Sequence, residues 1–144
     1  MQHYDIMVLS GGFDPLHVGH IRMIQHARDM AALVVVGINS DDWLERRRGR
    51  VMTPFEDRCQ IVASIRGVTS AVGFDDADDT AVALLKMVCR LSPGAQIAFG
   101  NGGDRTSTNV PEVETCQELG VDLVWGVGGN KVESSSGIIE SAER

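Results

Sequence analysis

DIMVLSGGFDPLHVGHIRMIQHARDMAALVVVGI, residues 5–38, is the stretch on which the fold turns. Residues 5–10 form a short apolar run that stops at Gly11-Gly12. Apolar side chains at consecutive rather than alternate positions predict a strand covered on both faces, as in parallel sheets. Residues 18–31 place Ile21, Ile24 and Arg28 on one line, with Met23, Ala27 and Met30 beside it. That is helical spacing, and no proline or glycine interrupts it after Gly19. LVVVGI at 33–38 is a second buried strand. Strand, helix and strand in succession make the unit from which parallel sheets are built.

The alternation continues outward from this unit. Asn39-Ser40-Asp41 offers caps for a short helix over 41–47. RRRGRVMTP at 46–54 reads as an exposed loop. Thr53 suits an N-cap and Pro54 a first helical residue, ahead of Phe55, Cys59, Val62 and Ile65 at helical spacing. Residues 68–74 predict a third strand, and Asp78-Asp79-Thr80 a helix start running through Leu91. Residues 95–99 and 121–127 predict the fourth and fifth strands, with a helix from Pro111 to Leu119 between them and another over 134–141. The expected fold is α/β: a doubly wound, mostly parallel five-stranded sheet with helices on both faces. No repeat, linker or low-complexity tract divides the chain, so residues 1–144 are expected to form one domain.

Composition narrows the function. A net charge of −7 argues against non-specific nucleic-acid binding, which needs a basic surface. No apolar run reaches the roughly 20 residues that span a bilayer. The N-terminus lacks the basic and apolar regions of a signal peptide. Cys59, Cys89 and Cys116 lie in apolar segments at no metal or redox spacing, which suggests reduced thiols and a cytoplasmic location. Arg46, Arg47, Arg48 and Arg50 are four of only 13 basic side chains. Such a cluster is either a solvated surface or a holder of a small anion.

Open parallel sheets bind ligands at the carboxyl ends of their strands. The unusual residues of this chain fall there: GGFDPLHVGH at 11–20, GNGGDR at 100–105 and GVGGNKVESSS at 126–136. Glycines let backbone come close to a ligand, and helix N-termini attract phosphate. Neither the P-loop pattern nor the redox dinucleotide fingerprint is present. His17 and His20 sit three residues apart at a helix entrance, where two imidazoles can donate hydrogen bonds to a phosphate. The same spacing also suits a capping pair or a buried histidine. A zinc site would need a third ligand at a matching spacing, and there is none.

Gly11 to His20 resembles the G-x-F-D-x-x-H-x-G-H signature of the cytidylyltransferase-like nucleotidyltransferases. Ser134-Ser135-Ser136-Gly-Ile138 is similar to the S-[ST]-[ST]-x-I segment that opens the last helix of those enzymes. The resemblance implies a Rossmann-like fold and transfer of a nucleoside monophosphate from CTP or ATP to a small phosphorylated sugar or alcohol. It implies that His17 and His20 stabilise the transferring α-phosphate. Gly11, Gly12 and Phe13 would form the turn beside the nucleotide, and Ser134, Ser135 and Ser136 would hold the β- and γ-phosphates. Asp14 would orient the acceptor or a bound Mg²⁺, or brace the loop. Gly102-Gly103-Asp104 resembles the G-G-D of the heptose-1-phosphate adenylyltransferase and would line the base or ribose pocket. Arg48, Arg50 and Arg58 would meet acceptor or triphosphate. Lys131 stands where the glycerol-phosphate type carries R-T-E-G-I and would supply a cation from a different position. Mg²⁺, held mainly by the phosphates, and a homodimer are further implications. Phosphopantetheine- or nicotinamide-mononucleotide-type adenylyltransferases, and a non-catalytic nucleotide-binding module, are the alternative readings.

Overall fold

The computed structural model describes residues 3–102 and 110–129. Five strands form one sheet: β1 (Tyr4–Gly11), β2 (Ala31–Ile38), β3 (Ser70–Gly73), β4 (Ile97–Asn101) and β5 (Asp122–Trp125). Their order is β3-β2-β1-β4-β5. All four pairings are parallel, which sharpens the expected "mostly parallel" sheet. Among the described residues the helices are α1 (Val18–Met30), α2 (Asp41–Arg48), α3 (Phe55–Ala63), α4 (Val82–Leu91) and α5 (Val113–Leu119).

Strand alternation sorts the core into two layers. Met7 and Leu9 of β1 face one side with Val34, Val36 and Ile38 of β2, under Ile24 and Ala27 of α1 and Val62 of α3. Ile6 and Val8 face the other side with Ile97 and Phe99 of β4, under Leu84, Leu85 and Val88 of α4 and Cys116 of α5. Both faces of the central strands are therefore dry, which is why β1 reads as an unbroken apolar run. Replacing Leu85, which is wholly buried, by Ala is expected to cost about 2–5 kcal/mol in a denaturant titration.

Several boundaries move from their sequence expectations. Pro54, not Thr53, is the N-cap of α3, and the helix begins at Phe55. The amide of Thr53 is bonded elsewhere, to Asp14. Helix α4 begins at Val82, because Asp78 accepts from the N–H and hydroxyl of Thr80 and closes a local turn instead. The expected helix over 134–141 lies outside the described residues.

The chain leaves β1 towards β2 and β3, then crosses to β4 on the other side of β1. A crevice lined by Ser10 to Phe13 at the end of β1, by Asn39 after β2 and by Trp43 and Arg48 of α2 lies at the carboxyl edge of the sheet, where ligands of such folds bind.

Candidate active site

The loop after β1 forms the floor of this crevice. His17 is the N-cap of α1, and its Nδ1 accepts from Gly19 N–H at 3.1 Å. His20, in the first turn, accepts through Nδ1 from His17 N–H at 3.2 Å. This is a capping box made by two histidines. The capping reading and the phosphate-donor reading are therefore compatible. An Nδ1 that accepts cannot carry the proton, so each neutral ring carries it at Nε2, as a donor. The rings stack at 3.9 Å between centroids, and Phe13 packs on His20 at 4.7 Å. Phe13 is buried at φ +52°, a left-handed backbone that costs a non-glycine residue about 1–3 kcal/mol.

Burial pushes the His20 imidazole down to about 3 from an ordinary 6.5, aided by the neighbouring His17 and by the Arg48 charge. His20 is therefore a neutral donor at physiological pH. The unfolded chain, with an ordinary histidine, takes up this proton first as the pH falls. The stability from neutral His20 is fully present above 6.5 and is lost between 6.5 and about 3. Melting curves across that window are expected to fall more steeply for the wild type than for His20→Gln. Parallel curves would remove His20 as the titrating group.

Arg48 ends α2 and reaches the same crevice, lined also by Gly12, His20, Asn39 and Trp43. Its guanidinium lies 5.9 Å from the centre of the Trp43 ring. Nη1 of Arg48 is buried and has no hydrogen-bond partner among the described residues. Burial lowers the Arg48 pKa from its ordinary value, while the carboxylate of Asp14 opposes that shift. A buried N–H donor without an acceptor is costly, and an incoming anion would satisfy it. Arg46 and Arg47 instead pair with Asp79, at 3.1 and 3.8 Å. Arg50 is exposed beyond Gly49, which ends α2 at φ +81°.

Two predicted site residues prove to be struts. Asp14 is buried, and its two oxygens accept from Met52 N–H and Thr53 N–H at 2.7 and 2.9 Å. Among its expected roles, the structure displays the bracing one. Arg58 departs further from expectation. It is 1% exposed, and its nitrogens donate to the carbonyls of Thr53, Gly12 and Asn39 and to the Asp41 carboxylate. It supports the site from behind and does not line the crevice. Gly12 lines the crevice, and a Cβ there would also stand 2.9 Å from Leu44 Cδ2 of α2. At Gly102 a Cβ would stand 3.0 Å from Val127 O. Gly103, Asp104, Lys131, Ser134, Ser135 and Ser136 lie outside the described residues.

Other lining residues carried no functional weight in the sequence. Asn39 and Trp43 were legible only as a cap and a helix residue, and Asp79, Thr80 and Glu112 complete the crevice wall. Asn39 is fixed by Asp76, whose carboxylate accepts from Asn39 Nδ2, Ser40 N–H and Ser40 Oγ. Burial pushes the Asp76 carboxyl up, but these bonds and Arg46 together hold it below its usual range. Nothing local in sequence links Asp76 to Asn39. Trp43, one of two tryptophans, offered the clearer signal, five residues after a strand end.

The cytidylyltransferase-like family matches residues 8–142. Relatives from Sulfurimonas denitrificans and Geobacter sulfurreducens, both named bifunctional protein HldE, are 35% and 34% identical over 129 and 139 residues. These alignments cover 88% and 94% of this chain but only 25% and 26% of the relatives. The chain thus spans about a quarter of their length. Among solved structures, the lipopolysaccharide core biosynthesis protein of Thermoplasma volcanium superposes with a TM-score of 0.66 at 20% identity. That match covers 91% of this chain and all (100%) of the other. A Francisella tularensis bifunctional NMN adenylyltransferase/ADP ribose pyrophosphatase, complexed with AMP and a manganese ion, gives 0.68 at 21% identity. That match covers 96% of this chain and 41% of the other. These two structures share the fold. With the signature loop, the parallel sheet and the family match over most of its length, the chain belongs to the cytidylyltransferase-like family of nucleotidyltransferases.

Proposed function

We propose that this chain transfers a nucleoside monophosphate from ATP or CTP to a small phosphorylated sugar or alcohol. The observation that carries the proposal is that His20, its Nδ1 committed to His17 N–H, and Arg48, whose Nη1 has no hydrogen-bond partner among the described residues, line one crevice, with the His17 ring stacked on His20. In this reaction an acceptor phosphate oxygen bonds to the α-phosphorus, the bridge to the β-phosphate breaks, and pyrophosphate leaves. Two anions must approach each other, so the work lies in positioning and charge neutralisation. The His17 and His20 donors face the charge that grows on the α-phosphate. Arg48 holds the acceptor phosphate against it. The resemblance to the heptose-1-phosphate adenylyltransferase, together with HldE relatives, supports a sugar-phosphate acceptor.

Magnesium fits this site as a companion of the phosphates. Both Asp14 oxygens are engaged by backbone N–H groups. Among the described residues, no group of three or more His, Cys, Asp or Glu could hold a metal. When bound, the ion neutralises the triphosphate and the departing pyrophosphate. No helix among the described residues is long and apolar enough to cross a membrane. A cytoplasmic location and a homodimer are part of this proposal.

Calorimetric titration with ATP, CTP, GTP and UTP, each with Mg²⁺, tests the donor. Binding of ATP or CTP is expected, and binding of neither would overturn the reading. Arg48→Ala is expected to raise the acceptor KM about tenfold to hundredfold, since a hydrogen bond to a charged group is worth about 1.5–3 kcal/mol. An unchanged acceptor KM would return Arg48 to the protein surface.

A further inference from the structure

Among the described residues Arg58 is the largest fully buried side chain, and no step above uses it. Its guanidinium joins three separate segments through four acceptors. Nη1 donates to Gly12 O at 2.9 Å and to Asn39 O at 2.7 Å, so one nitrogen ties the ends of β1 and β2. Nε donates to Thr53 O at 2.8 Å, in the segment between α2 and α3. Nη2 meets Asp41 Oδ1 at 2.7 Å, where the carboxylate is about half exposed (44%). Asp14 grips the same segment through the N–H groups of Met52 and Thr53. The segment that follows Arg48 is thus held by its carbonyl from one side and by its N–H groups from the other.

Stability alone explains this poorly. A buried charge seldom outperforms well-packed apolar side chains of the same volume. What a guanidinium supplies that a hydrocarbon cannot is fixed geometry, because its planar fork binds several acceptors at set angles. On the transfer proposed above, we infer that Arg58 is a positioning residue. It sets the distance between the histidine loop, which meets the α-phosphate, and Arg48, which meets the acceptor. Arg58 touches neither substrate. Its effect belongs to alignment, which weighs on the transition state more than on ground-state binding.

The test is Arg58→Lys, which keeps the charge and loses the fork. The kcat is expected to fall about tenfold to hundredfold while the KM for nucleotide stays within about threefold. The amide resonances of Gly12, Asn39 and Thr53 are expected to shift in the NMR spectrum. A wild-type kcat overturns the inference, as does a loss of kcat explained by the unfolded fraction alone. Should Arg58→Lys fail to fold, Asp14→Asn loosens the same segment and is expected to give the same split. Equal losses in kcat and nucleotide affinity there would overturn it. If the wild type releases no pyrophosphate, the transfer reading fails, but the resonances still decide: their standing still in Arg58→Lys overturns the strut.

Discussion

His20→Ala is expected to lower kcat about a hundredfold to ten-thousandfold, by analogy with loss of a preorganised donor or proton-transfer group, with nucleotide affinity changed little. His20 Nδ1 is committed to His17 N–H, so Nε2 carries the proton. Burial, His17 and Arg48 keep the ring neutral, so it holds no full charge with which to attract the ground-state triphosphate. Its bond strengthens when charge builds on the α-phosphate, and that difference appears in kcat. His20→Gln keeps a donor at a different reach and should recover part of the rate. Loss of affinity with an unchanged kcat, read by single-turnover kinetics, would assign His20 to binding instead.

The second large effect is expected for Asp14→Ala. Asp14 is 2% exposed, and both its oxygens are occupied by backbone donors. Alanine leaves Met52 N–H and Thr53 N–H without that acceptor. Each unsatisfied buried donor costs about 1–3 kcal/mol, so a loss of about 2–6 kcal/mol is expected in urea unfolding. The released segment also carries Thr53 O, the acceptor of Arg58 Nε. Stability and kcat should therefore fall together. A variant as stable as the wild type would show that solvent reaches these amides.

These two residues illustrate what the sequence could and could not reveal. The sheet was legible because β1 and β2 are buried on both faces, and such strands have an unmistakable composition. The histidine loop was legible because several residue types and both gaps repeat a known pattern. Arg58 was misread because a cation is presumed to face an anion. Its register held the correction: Phe55, Arg58 and Val62 lie on one helical stripe, and Val62 is wholly buried. An arginine on an apolar stripe points to a buried strut. The network of Asp76 and Asn39 had no such signal, since the partners are 37 residues apart and meet only across the edge of the sheet. Gly12 carries a second constraint that the sequence did not show: it lines the crevice, and Leu44 Cδ2 of α2 lies close beside it.

The central claim is that the α-phosphate moves. It is tested most directly by incubating the protein and Mg²⁺ with nucleotide labelled at either the α- or the γ-phosphate, together with a panel of sugar phosphates. The account predicts α-label in a new product that forms only with acceptor, and γ-label in pyrophosphate. Label from the γ-position on the acceptor, or no acceptor-dependent movement of either label, would contradict it.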